Sequence, residues 1–244
     1  MGILGRYYRT YALDFWGFGE SGKKRETYAV QDFVSLVDQF MEQLGIIQAP
    51  LVGHSMGGTV SLSVAIRYPE RVSKVVVVGS PIVGSSLAPL LKLAGYRPTA
   101  FFLFHMMGPF RAWMKYYYAP VICSDPRFPE MMDRDLSRTT LESFLLSIAS
   151  LRRTDLRPLL DQIKVPAMGI YGDRDKVVQP KQWQPMKKGI DHAHIERFPL
   201  AGHFPMLEEP QNFAERLKSF LDQDEPAPVP RTSPSLSPTP SVTL

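Results

Sequence analysis

The sequence predicts an α/β protein, a mostly parallel sheet covered by helices and interrupted by an inserted helical region. Residues 49–79 read as strand, helix, strand, a succession that makes parallel neighbours. From about Ile82 to Arg153 this rhythm stops, and Met, Phe, Tyr and Leu gather in helix-like stretches instead. After Arg153 the alternation resumes as far as Leu221.

Taken in order, Tyr8 to Phe15 has strand character and runs into a glycine-rich stretch, Gly17 to Gly22. Thr27 is the expected N-cap of a helix from about Ala29 to Leu44, since Val30, Phe33, Val34, Val37 and Phe40 recur at helical spacing. Ala49 to Gly53 is a short apolar strand and Met56 to Tyr68 a helix; Val72 to Gly79, with four consecutive valines, is a strand buried on both faces. Beyond the insertion, Thr140 to Leu151 having closed it, come a helix near Leu156 to Ile163 and a strand from Ala167 to Tyr171. A helix near Lys181 to Lys188, a strand from His194 to Phe198 and a helix from Pro210 to Leu221 complete the pattern. The organisation expected is therefore a first core part, 1–81, a helical lid, 82–153, a second core part, 154–224, and a tail, 225–244. That tail is rich in Pro, Ser and Thr and is expected to be disordered, because it offers too little apolar bulk to offset ordering.

With 44% hydrophobic and 21% charged residues among 244, the chain can bury a sizeable core. The formal net charge is +4, but its basic residues are scattered apart from Lys23, Lys24, Arg25 and the pair Arg152, Arg153, so a solvated basic surface is expected and not a nucleic-acid partner. Cys123 is the single cysteine, which excludes an intrachain disulfide and a Cys/His zinc site of the usual kind. Met1 to Arg9 lacks the apolar core of a signal peptide, Arg6 stands where a myristoylation signal needs Ser or Thr, and no apolar run approaches about 18 residues. A cytoplasmic protein without a membrane span is the expectation.

The chemistry concentrates in three loops. Gly53-His54-Ser55-Met56-Gly57-Gly58 fits G-x-S-x-G between an apolar strand and a helix, the context that gives this motif meaning. A nucleophile on such a turn sits in strained backbone, so Gly53 and Gly57 are expected to let neighbouring segments approach, while the helix N-terminus favours negative charge. The Met56 N–H is then the expected oxyanion donor. A serine hydroxyl needs a base, and the base needs a group that fixes its tautomer. His203, in Gly202-His203-Phe204-Pro205, and Asp175, in Gly172-Asp173-Arg174-Asp175, each follow a predicted strand, giving the chain order Ser, Asp, His at the carboxyl rim of the sheet.

On these residues the chain resembles the α/β-hydrolase superfamily, from about Arg9 to Leu221. Arg9 to Ser21 is similar to the family's fourth strand and following loop, Gly53 to Gly58 to its nucleophile elbow, Gly172 to Val178 to its acid loop, and Gly202-His203 to its histidine loop. The resemblance implies Asp175 as the acid, with Asp173 as the fallback. It also implies further strands before Arg9 and a His-Gly loop supplying a second oxyanion N–H, neither of which this sequence contains. Residues 1–25 are accordingly expected to dock poorly. Loss of one oxyanion donor lowers turnover by about a hundred- to a thousandfold.

The function read from these residues is that of a serine hydrolase acting through an acyl-enzyme on a small apolar ester-like substrate, with no metal or organic cofactor. Carbon–carbon bond hydrolysis and acyl transfer use similar parts. A non-catalytic or weakly active binding protein is the alternative, motivated by the missing strands. Gly17-Phe18-Gly19-Glu20-Ser21-Gly22 also satisfies G-x-G-x-x-G, but Phe15 and Trp16 intervene after the strand and Lys23 to Glu26 delay the helix, so nucleotide binding ranks last. Asp14 is read as bracing its own loop and His54 as packing beneath the elbow; His105, His192 and His194 show no metal spacing, and Cys123 no sign of activation. Within the insertion Phe101, Phe102, Phe104, Met106, Met107, Phe110, Trp113, Met114 and Tyr116 to Tyr118 are mostly the lid's own core, with a few facing substrate.

Overall fold

The computed structural model describes residues 2–25, 27–94 and 107–223. Four strands form a single parallel sheet among them: β1 (Ala49–His54), β2 (Val72–Val78), β3 (Ala167–Gly172) and β4 (His194–Phe198), in the spatial order β1-β2-β3-β4. The four consecutive valines of β2, Val75 to Val78, show why it lies inside. Val75 and Val77 enter the larger core, Val76 and Val78 the smaller one on the opposite face, as a side-chain period of two requires.

Helices cover both faces. α1 (Val30–Gln43) and α2 (Met56–Arg67) contribute Phe33, Val34, Val60, Leu62 and Val64 to the larger core. Among the described residues between β2 and β3 lie a 3₁₀ turn (Gly84–Ser86), α3 (Pro89–Ala94), α4 (Met107–Trp113), a π-helical turn (Met114–Tyr118), α5 (Ala119–Ile122), α6 (Phe128–Ser137) and α7 (Leu141–Arg153), with an isolated bridge between Val83 and Asp155. After β3 come α8 (Trp183–Gly189), then, past β4, α9 (Pro205–Glu208) and α10 (Pro210–Leu221). Leu217 and Phe220 of α10 close the smaller core, and the ammonium of Lys74 on β2 caps the end of α10 through the carbonyls of Phe220, Leu221 (2.8 Å) and Gln223.

Several expectations need correction. Tyr8 to Phe15 forms no strand; no strand among the described residues pairs with the outer edge of β1, so this segment has no ladder to join. As expected, residues 2–25 dock loosely: Ile3, Tyr7 and Tyr11 stay exposed, while Phe15 stacks on Phe33 at 4.6 Å and Trp16 and Phe18 are partly buried against the larger core. Thr27 does not cap α1. The Asp32 carboxylate does so from within the first turn, accepting the Ala29 N–H at 2.7 Å, and Thr27 Oγ1 braces it at 2.8 Å. The helix expected near Leu156 to Ile163 is present, wound as a 3₁₀ helix (Arg157–Gln162) with Pro158 near its start. The tail from residue 224 and His105 lie outside the described residues.

Candidate active site

Ser55 is held where β1 ends and α2 begins. Its backbone sits at φ 53°, ψ −122°, the single positive φ of a non-glycine residue among those described, a conformation that costs of order 1–3 kcal/mol. Its N–H donates to the Val78 carbonyl at 2.8 Å, so the elbow is pinned to the end of β2. The crowding expected at Gly53 and Gly57 falls instead on Gly53 and Gly58. A Cβ on Gly53 would lie 2.2 Å from the Gly57 carbonyl oxygen and one on Gly58 would lie 1.9 Å from Ser80 Oγ, whereas Gly57 faces open space. The first turn of α2 leaves the Met56 N–H with no backbone acceptor among the described residues.

The acid and histidine loops meet over β3 and β4. Asp173 N donates to Phe198 O and Arg174 N to Ala201 O, both at 3.0 Å, and a Cβ on Gly172 would strike the Gly202 carbonyl at 2.0 Å. Asp175 is thereby buried with its oxygens divided. Oδ1 accepts the N–H groups of Val177 (2.8 Å) and Val178 (2.9 Å); Oδ2 accepts from His203 Nδ1 at 2.7 Å. Both side chains are 3% exposed or less, so this pair is shielded from water. Donation from Nδ1 leaves Nε2 as the ring's acceptor. Gly79, at φ 55° after β2, sits under the ring; a Cβ there would lie 3.1 Å from His203 Nδ1. Ser55 binds Val78, the residue before Gly79, and His54 touches the His203 ring, so the serine and imidazole share one rim. Ser55 Oγ makes no hydrogen bond to His203, a contact that apo sites commonly leave long.

Asp173 is not part of this cluster: Arg197 holds it in a two-pronged pair at 3.0 and 2.8 Å. Asp14 does brace its loop, accepting Glu20 N at 3.0 Å, and His192 and His194 are engaged with Val165 O and Glu196. Burial drives the Cys123 thiol up to about 11, consistent with an inert residue. His54 does more than pack. Its Nε2 donates to the His203 carbonyl at 2.8 Å, and its ring lies 4.6 Å from that of His203 and 4.8 Å from that of Phe204. In the insertion Tyr116 and Tyr117 point outward, Met114 is buried, and Tyr118 turns its hydroxyl into the interior, where it has no hydrogen-bond partner among the described residues and where burial and the charge of Asp175 raise its pKa. Phe101, Phe102, Phe104 and Met106 lie outside the described residues, as do the side chains of Met107 and Phe110.

Signals for Gly79 and the His54–His203 bond are absent from the sequence, because each depends on backbone brought together across the sheet. A cavity of about 420 Å³ lined by Lys74, Lys164, His192 and His194 lies at the opposite, amino-terminal rim and is unrelated to this cluster.

A parallel sheet whose carboxyl rim gathers a strained serine and a buried Asp–His pair is a hydrolase layout of the α/β class. The family model described as alpha/beta hydrolase fold matches residues 4–210, and the chain belongs to that family. It is 30% identical over 228 residues to the 2-hydroxy-6-oxononadienedioate/2-hydroxy-6-oxononatrienedioate hydrolase of Paraburkholderia phymatum, covering 88% of this chain and 77% of that protein. It is 26% identical over 220 residues to 3-oxoadipate enol-lactonase 2 of Acinetobacter baylyi, covering 88% and 79%. Among solved structures the enol-lactonase from Burkholderia xenovorans superposes with a TM-score of 0.74 at 22% identity, covering 91% of this chain and 84% of that one, a likeness of fold. No helix among the described residues is long and apolar enough to cross a membrane.

Proposed function

We propose that the protein is a serine hydrolase that cleaves a small ester-like acyl bond, lactones included, through a covalent acyl-enzyme. Ser55 is the nucleophile, His203 the base and Asp175 the orienting acid. His203 Nε2 takes the hydroxyl proton as Ser55 Oγ attacks the carbonyl, and Asp175 stabilises the imidazolium that forms. The Met56 N–H, at the N-terminus of α2, faces the developing oxyanion. His203 then returns the proton to the leaving alcohol, and water, deprotonated by the same imidazole, releases the acid. The helices between β2 and β3 serve as the lid, with Tyr118 among the residues turned inward. The observation that carries this reading is the buried Asp175–His203 hydrogen bond at 2.7 Å beside a serine held at positive φ. The enol-lactonase relative supports an ester-like substrate, and the dioate-hydrolase relative supports a hydrolase of small molecules.

A second reading, a weakly active or non-catalytic binding protein of the same fold, is favoured by the sheet, in which no described strand pairs with the outer edge of β1. Turnover of p-nitrophenyl butyrate separates the two. Ser55→Ala and His203→Ala are each expected to lower kcat by about a thousandfold or more, with Asp175→Asn close behind. Equal rates for the wild type and Ser55→Ala contradict the hydrolase assignment.

A further inference from the structure

Glu208 joins two parts of the chain that the catalytic reading treats separately. Its Oε1 accepts both the N–H and the hydroxyl of Ser124, each at 2.9 Å, and its Oε2 accepts the Gly202 N–H at 2.6 Å. Ser124 follows α5 closely and belongs to the helical insertion; Gly202 immediately precedes His203. The contact between these segments is close. A Cβ on Gly202 would lie 3.0 Å from the Ile122 carbonyl, and Phe128 of the insertion packs its ring 4.4 Å from that of Phe204, the residue after His203.

Three donors converging on one side chain demand a group that only accepts. A carboxylate meets that demand with both oxygens. An amide of the same shape offers one oxygen and turns its NH₂ either toward the Gly202 N–H or toward Ser124, so one arm fails whichever way it rotates. The geometry points to Glu208 as a positioning residue that couples the placement of the insertion to the orientation of the His203 ring. This inference rests on His203 being the base. Small displacements of such a base are expensive, since misplacement by about 1 Å can cost about a hundredfold in rate.

The test compares the wild type with Glu208→Gln and Ser124→Ala. Two readouts are taken: kcat and KM on p-nitrophenyl butyrate, and the downfield proton resonance of the His203 Nδ1–H bonded to Asp175. Glu208→Gln is expected to lower kcat about tenfold with KM little changed, and to move or broaden the resonance. Ser124→Ala, which deletes one donor and keeps the carboxylate, is expected to show the same changes in smaller measure, and it carries the comparison should Glu208→Gln fail to fold. Adding Ser124→Ala to Glu208→Gln brings less than the product of the two losses, because both act through one clamp. Folded variants with wild-type kcat and an unmoved resonance overturn the proposal, as does a fall in melting temperature with kcat preserved at permissive temperature. Should the wild type hydrolyse no ester, the resonance decides alone: movement in Glu208→Gln upholds the positioning role while the hydrolase reading fails, and no movement overturns both.

Discussion

Two imidazoles in contact, His54 and His203, answer to different environments within one small volume. His54 is only partly buried as a residue, yet its ring is walled in by His203 and Phe204, and that burial together with the neighbouring His203 pushes its pKa down to about 3 from an ordinary 6.5. It therefore stays neutral, and its Nε2–H is fixed as the donor to the His203 carbonyl. The sign of the linkage follows. Because the folded pKa lies below the unfolded one, the unfolded chain takes up the proton first, so the His54 contribution is complete above about pH 6.5 and is lost as pH falls toward about 3. Between pH 7 and pH 5 the loss amounts to about 1–2 kcal/mol. His54→Gln should flatten that part of the stability curve, measured as the urea midpoint against pH; an unaltered slope would show that other groups control acid sensitivity. The sequence suggests packing beneath the elbow for His54, whereas its ring lies against His203 and Phe204 and its partner is a backbone carbonyl from a loop far along the chain, which no local pattern can announce.

Among elements, the elbow shows how close packing divides the work of neighbouring glycines. The strand, turn and helix were visible as an apolar run, a G-x-S-x-G motif and a second apolar run, and β2 was visible in its run of four valines. Which glycine is crowded was not visible, since it depends on how closely β1, α2 and β2 approach. Gly53→Ala would drive a Cβ to 2.2 Å from a backbone oxygen that cannot yield, and is expected to destabilise by about 3 kcal/mol. Gly57→Ala meets open space inside a helix and is expected to be neutral or to stabilise by up to about 1 kcal/mol. Thermal or denaturant melts of both variants decide the matter, and equal losses would contradict this division. The segment Tyr8 to Phe15 shows the converse failure. Strand propensity is realised only where a ladder partner exists, and here the aromatic side chains dock without one.

Over the whole molecule the legible features were those set by period and order. The parallel sheet, the interruption between β2 and β3, and the placing of Ser55, Asp175 and His203 past the ends of their strands all follow from hydrophobic rhythm and motif context. Hidden from the sequence was the fastening between parts: Lys74 closing α10, Arg197 removing Asp173 from contention, and Glu208 tying the insertion to the histidine loop. The central claim is that the paired imidazole makes the Ser55 oxygen reactive. It is tested most directly by treating the protein with a fluorophosphonate probe and locating the adduct by peptide mass mapping. Labelling confined to Ser55, abolished in Ser55→Ala and strongly reduced in folded His203→Ala, is the predicted result. A folded wild-type protein that takes up no probe, or takes it up equally well without His203, contradicts it.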